Sequence, residues 1–180
     1  RELNQTKVSV LSCTLELEQS AEYAEIEIEN PEQYERFIDA EQDKIDEIIS
    51  KVKASGANIV FSAEGIDSRV LHSLADSGFF ALGGLERPIA EDVAKACGAQ
   101  LCDHIDDISS SLGDLARLEH QRLEGSEGVK ERIILEVGQN AGIVTILVGG
   151  ADGVAAEETI RGLFDSLRST CLAKEDDSIT

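Results

Sequence analysis

Residues 55–78 read SGANIVFSAEGIDSRVLHSLADSG. Asn58–Ser62 is an apolar, β-branched run of strand length, AEGID is a glycine-bearing corner, and beyond it apolar residues return at helical spacing until Gly78 closes the segment. Asp67 stands where an N-cap belongs. Val70, Leu71, Leu74 and Ala75 form the side expected to be buried, which turns Ser68, Arg69, His72, Ser73 and Asp76 outward. A strand, a corner and a helix are the first part of a βαβ unit. In α/β proteins such a corner is often a ligand crevice; the other reading is a scaffold that displays the helix.

The flanks decide the fold class. Downstream, FFALG (79–83) reads as a short strand, IAEDVAKAC (89–97) as a helix ended by Gly98, and AQLC (99–102) as another strand. Strand-helix alternation of this kind predicts a layered β/α domain with parallel neighbours. Upstream, TKVSVLSCTLELE (6–18) gives one or two strands and the alternating AEYAEIEIE (21–29) a further one. Asn30 as N-cap, Pro31 at the first helical position and Gln33 placed for a capping box open a helix expected to reach about Ser55, with Gly56 just beyond it.

That helix carries an uneven stripe. Tyr34, Phe37 and Ile38 form one apolar cluster, Ile45, Ile48, Ile49 and Val52 a second on the same face, and the intervening turns read DAEQDK. A helix buried along its length keeps its stripe. The pattern fits a helix whose C-terminal half packs on a sheet while its N-terminal half leaves the body; an ordinary amphipathic helix with one polar turn fits too. After residue 115, LARLEHQRLEG, ERIILEV and GIVTILVGG are strand-like, the last two joined through GQNA as an antiparallel pair. A final helix has Ile160, Leu163, Phe164 and Leu167 on one side.

Composition narrows the partners. The 180 residues hold 36 acids against 16 bases, a formal charge of −20. Nucleic acid is excluded as a natural partner, because binding it neutralises phosphates with Lys and Arg. No run is apolar enough to span a bilayer and no secretory leader pattern occurs, so the expectation is a soluble, cytoplasmic protein without a membrane partner. Acids spread along the whole chain suit a protein kept soluble in concentrated salt. The sequence begins at Arg1, contains no Met and ends in polar AKEDDSIT, as expected of a piece of a longer protein.

Catalytic templates are missing. There is no GxxxxGK[ST], no GxGxxG and no GxSxG. GGADG (149–153) precedes a helix, but Asp152 opposes an anion there, and a tight turn is expected. Cys13, Cys97, Cys102 and Cys171 have no paired spacing, and the C-x4-C-x-H of Cys97, Cys102 and His104 lacks a fourth ligand; no metal site is expected.

The order NPEQYERFIDAEQDKIDEIISKVKASGANIVFSAEGID, AKACGAQL, VTILVGG and IRGLFDSL resembles the substrate-binding part of a group II chaperonin subunit, of the archaeal thermosome and eukaryotic TRiC type. The resemblance implies an apical, substrate-binding domain over residues 1–146 with a helical protrusion at about 25–50, and part of an intermediate domain at 147–180. It implies display at the corner: Tyr34, Phe37 and Ile38 at the protrusion, with Ser68, Arg69, His72, Ser73 and Asp76, would meet unfolded or nonnative proteins. Other subunits in a double ring, and ATP with Mg in the full-length protein, follow from the same resemblance. Asp165 matches the position of an aspartate that activates water in ATP hydrolysis. The family's Gly-Asp-Gly-Thr-Thr phosphate loop is absent from this stretch, so no cofactor is expected for it alone. Where relatives carry basic residues this chain has ALGGLE, and where they carry Ile-Arg-Gly it has LVG; with the acidic bias this points to a divergent paralogue from a halophilic archaeon. The alternatives are a stand-alone α/β domain acting as a small-molecule enzyme, or an ATP-independent holdase.

Overall fold

A computed structural model describes residues 2–16, 31–125, 128–138, 142–150 and 152–177. The chain divides into two compact units, residues 1–143 and 144–180. Within the first unit, β1 (Glu2–Leu11) leads to α1 (Pro31–Ser55), β2 (Ile59–Ser62), α2 (Ser68–Asp76), β3 (Phe80–Leu82), α3 (Arg87–Cys97) and β4 (Leu101–Cys102). A 3₁₀ helix (Ile105–Ser110), β5 (Gly113–Gly125) and β6 (Gly128–Glu136) complete it. The alternating strand AEYAEIEIE and the Asn30 cap lie outside the described residues.

One sheet runs in the order β3-β2-β1-β5-β6. β2 lies parallel to β1 with Val8 opposite Ile59, and β3 parallel to β2 with Ile59 opposite Phe80. On its other edge β1 is shared: its first part pairs antiparallel with β5 (Leu3 opposite Leu118), its end parallel with β4 (Leu11 opposite Cys102). The parallel β/α layer read from the sequence is therefore present, with an antiparallel hairpin added at one side.

The two-residue period of the strands divides the core into two layers. Val8, Val10, Ile59 and Phe61 point to the face covered by α3, whose Ala90, Ala94 and Cys97 are buried there. Leu11 and Val60 point to the opposite face, with Ile45, Ile49 and Val52 of α1, Val70 and Leu74 of α2, and Ile108 of the 3₁₀ helix. Phe61 and Phe80 meet edge to face at 6.2 Å between ring centres. Gly56, Gly78 and Gly98 close the three helices with φ of +80°, +89° and +69°, the left-handed region that ends helices.

Three sequence expectations need correction. The antiparallel pair is LARLEHQRLEG with ERIILEV, joined at residues 126–127. GIVTILVGG (142–150) forms no strand among the described residues; Val144, Ile146 and Leu147 stand exposed, because a strand exists only where a neighbour takes its backbone groups. On α2, Leu71 and Ala75 are exposed and Ser73 is half-buried. A nine-residue helix resting on a sheet through Val70 and Leu74 covers a narrower stripe than four apolar residues suggest. The 3₁₀ helix went unforeseen: its IDDISS offers only Ile105 and Ile108 to the core.

In the second unit, α4 (Gly153–Asp177) starts at Asp152, whose carboxylate accepts the backbone N–H of Ala155 at 2.8 Å. Asp152 of GGADG thus caps the helix. Of the apolar side of α4, Leu163 is half-buried while Ile160, Phe164 and Leu167 are exposed.

Candidate functional site: a displayed helix face

At the C-terminal end of β2, where an α/β crevice would open, described chain packs on both sides of the corner. Leu15 N–H donates to Gly65 O at 3.1 Å and Asp67 N–H donates back to Leu15 O at 3.2 Å. The Thr14 hydroxyl also reaches Gly65 O, at 3.2 Å. From the other side Gly84 N–H donates to Glu64 O and Leu85 N–H to Ser62 O. Gly83 presses so closely that a Cβ on it would lie 2.7 Å from the Ile66 side chain and 3.0 Å from the Ile66 backbone nitrogen. Described chain thus lies on both sides of the corner, and what the corner positions is α2.

α2 is held by Val70 and Leu74, both fully buried, and by its cap. Asp67 accepts the backbone N–H of Arg69 at 2.8 Å, the N-cap read from the sequence. The outward face presents Ser68, Arg69, Leu71, His72, Ala75 and Asp76. Leu71, 37% exposed, puts an apolar side chain in a surface that the sequence pattern had left polar.

α1 behaves as two halves. Ile45, Ile49 and Val52 are buried at helical spacing, and none of the residues 32–44 is. Tyr34 is 52% exposed, Ile38 45%, and Phe37 half-buried. Four residues before Ile45, where the stripe would continue, stands Glu41. Arg69 reaches it from α2, Nη1 to Oε2 at 2.6 Å, while Nη2 lies 3.3 Å from Asp67 Oδ2. Side-chain and backbone hydrogen bonds from Arg69 hold the Asp67 carboxyl below the usual carboxylate range. Of the outward residues named from the sequence, Arg69 is therefore already engaged with two carboxylates. Further along α1, Lys51 bridges Glu47 at 2.9 Å and Asp106 of the 3₁₀ helix at 3.0 Å.

Among the described residues no group of three or more His, Cys, Asp and Glu is placed to hold a metal. Cys97 is buried in the α3 layer and Cys102 in the α1 layer, so the sheet separates the two sulfurs of C-x4-C-x-H. Asp165 lies on the exposed surface of α4. No described helix is long and apolar enough to cross a membrane.

The site thus consists of a corner with chain on both sides, a capped helix turned outward and a long helix whose N-terminal half is largely exposed. The comparisons name the chain's kind. The family model for the TCP-1/cpn60 chaperonin family matches residues 1–180, and the chain belongs to that family. A thermosome subunit of Methanopyrus kandleri is 31% identical over 180 residues, and the thermosome subunit beta of Archaeoglobus fulgidus 32%. Each alignment covers 99% of this chain and 32% of the relative, so the chain spans about a third of their length. Among solved structures, the open-state monomer of a group II chaperonin from Methanococcoides burtonii shares the fold, with a TM-score of 0.68 and 22% identity over 93% of this chain and 35% of that one.

Proposed function

We propose that this chain is the client-binding and lid-forming part of a group II chaperonin subunit, which in the whole protein binds and encloses nonnative polypeptide in an ATP-dependent cycle. The observation that carries the reading is the half-free α1, whose apolar Tyr34 and Ile38 lie open instead of packing into the core. Tyr34 and Ile38, one helical turn apart on the same face, offer an exposed apolar surface for contact with unfolded sequences. The outward face of α2, with Ser68, His72, Asp76 and the newly placed Leu71, is the second contact surface, with the half-buried Ser73 at its margin. Partner subunits in a double ring, a cytoplasmic setting, and ATP and Mg in the complete subunit are parts of the same proposal, and Asp165 is its candidate for activating water there.

Aggregation of a chemically unfolded model protein, followed by light scattering, tests the reading. Added chain should suppress it, and the double substitution Tyr34→Ser with Ile38→Ser should remove most of that suppression without lowering the thermal midpoint. Suppression unchanged in the double variant would refute the client surface. Since these 180 residues contain no phosphate-cradling loop, calorimetric titration of this chain with Mg-ATP should be flat.

A further inference from the structure

We infer that Arg69 is a positioning residue: through Glu41 it fixes the direction of the exposed N-terminal half of α1, and it does not serve as a contact for bound polypeptide. Arg69 sits in the first turn of α2 and on its outward side, where a surface cation would ordinarily meet a ligand. Its guanidinium is occupied instead. Nη1 meets Glu41 Oε2 at 2.6 Å, Nε lies 3.3 Å from Asp67 Oδ1, and Nη2 3.3 Å from Asp67 Oδ2. Asp67 is itself fixed, because the same Oδ1 accepts the Arg69 backbone N–H at 2.8 Å. A carboxylate locked by capping thus aims a planar, rigid fork at Glu41, and a group held in place beforehand loses less freedom on pairing.

Glu41 occupies a particular place on α1. Four residues before Ile45, it continues the row of side chains that faces the body, and its side chain is only 21% exposed. It is where the apolar stripe ends and the free half begins. The Lys51 bridge to Asp106 holds the buried half further along, so the Glu41–Arg69 pair sits at the fulcrum. From there the helix extends about 15 Å to Pro31, and a small change of angle at Glu41 moves Tyr34 by much more. An exposed ion pair adds little to global stability. Placed here, it sets a direction.

The consequence for client capture rests on the function proposed above; the pairing itself does not. Amide exchange of Arg69→Gln, Glu41→Gln and the double variant separates the two. Each single variant should speed exchange at residues 34–43 by about two- to five-fold, the range expected of a partly exposed pair. Residues 45–53 should stay unchanged, the double variant should be no faster than either single one, and Arg69→Lys, which keeps the charge without the fork, should fall between the parent and Arg69→Gln. Capture of an unfolded model protein should fall in step with the exchange. Glu41→Gln breaks the same bond from the other helix, so a poorly folding Arg69→Gln does not decide the matter. Unchanged exchange at 34–43 in Glu41→Gln, additive effects in the double variant, or a loss of capture in Arg69→Gln alone would overturn the inference and make Arg69 a client contact. Faster exchange with undiminished capture would uphold the positioning role and remove the client surface.

Discussion

Asp67 joins two tasks in one carboxylate, since it caps α2 and also aims Arg69. Replacing it by Ala should cost ~1 kcal/mol, as losing an N-cap does, and thermal unfolding measures it. The sign of its pH dependence follows from its lowered pKa. Hydrogen bonds from Arg69 hold the folded-state carboxyl below its ordinary value, so the unfolded chain binds the proton more tightly. The stabilisation is full above the ordinary carboxylate pKa of about 3.9 and is lost as pH falls through the lower folded value. The stability gap between the parent and Asp67→Asn should accordingly close on acidification; a gap that widened would refute this account. Cys97 illustrates the opposite environment. Burial pushes its thiol up to about 11, so thiolate is scarce at neutral pH. Alkylation of the native chain should label the exposed Cys171 first and Cys97 only on unfolding, as peptide mass mapping would read.

Among the elements, α1 ties sequence to the proposed function most directly. Its buried half is held by Ile45, Ile49 and Val52, and Ile49→Ala should cost ~2–5 kcal/mol, the range for a buried branched side chain. Ile38→Ala, 45% exposed, should cost well under ~1 kcal/mol. Amide exchange should be fast up to about residue 42 and slow from 45 to 53. Protection uniform along the helix would mean that the Tyr34, Phe37 and Ile38 cluster is core. The division was legible in the sequence because DAEQDK interrupts a periodic stripe, a local signal. Asp67, Gly78 and Gly98 were legible for the same reason: caps and left-handed stops are local chemistry. Elements that depend on a neighbour were not. GIVTILVGG has the composition of a strand, and composition says nothing of whether a partner stands beside it. Leu71 falls on the apolar arc of α2 by helical spacing, yet a short helix lying on Val70 and Leu74 leaves it in solvent. Glu41 and Arg69 are 28 residues apart, and no periodicity joins them.

For the whole molecule, charge is the dominant property. Pairing every one of the 16 bases with an acid would still leave 36 − 16 = 20 acids without one. Many bases are already so paired: Lys7 with Asp114 at 2.6 Å, Lys51 with two carboxylates, Arg69 with two, Arg87 with Glu91 at 3.5 Å, Arg117 with Glu119 at 3.0 Å. Salt acts on both populations at once. It weakens these partly exposed attractions, each small to begin with, and it screens the mutual repulsion of the acidic excess, which acts across the entire surface. The repulsion is the larger sum, because the attractive pairs are bounded by the number of bases and the repulsive ones grow with nearly every pair of acids. The thermal midpoint should therefore climb between low and molar KCl, and a midpoint that stayed level or fell would rule out self-repulsion as the governing force. The free half of α1 should run against this trend. Its direction is set by the Glu41–Arg69 pair, so amide exchange at residues 34–43 should quicken over the same salt range in which the body of the domain becomes more stable.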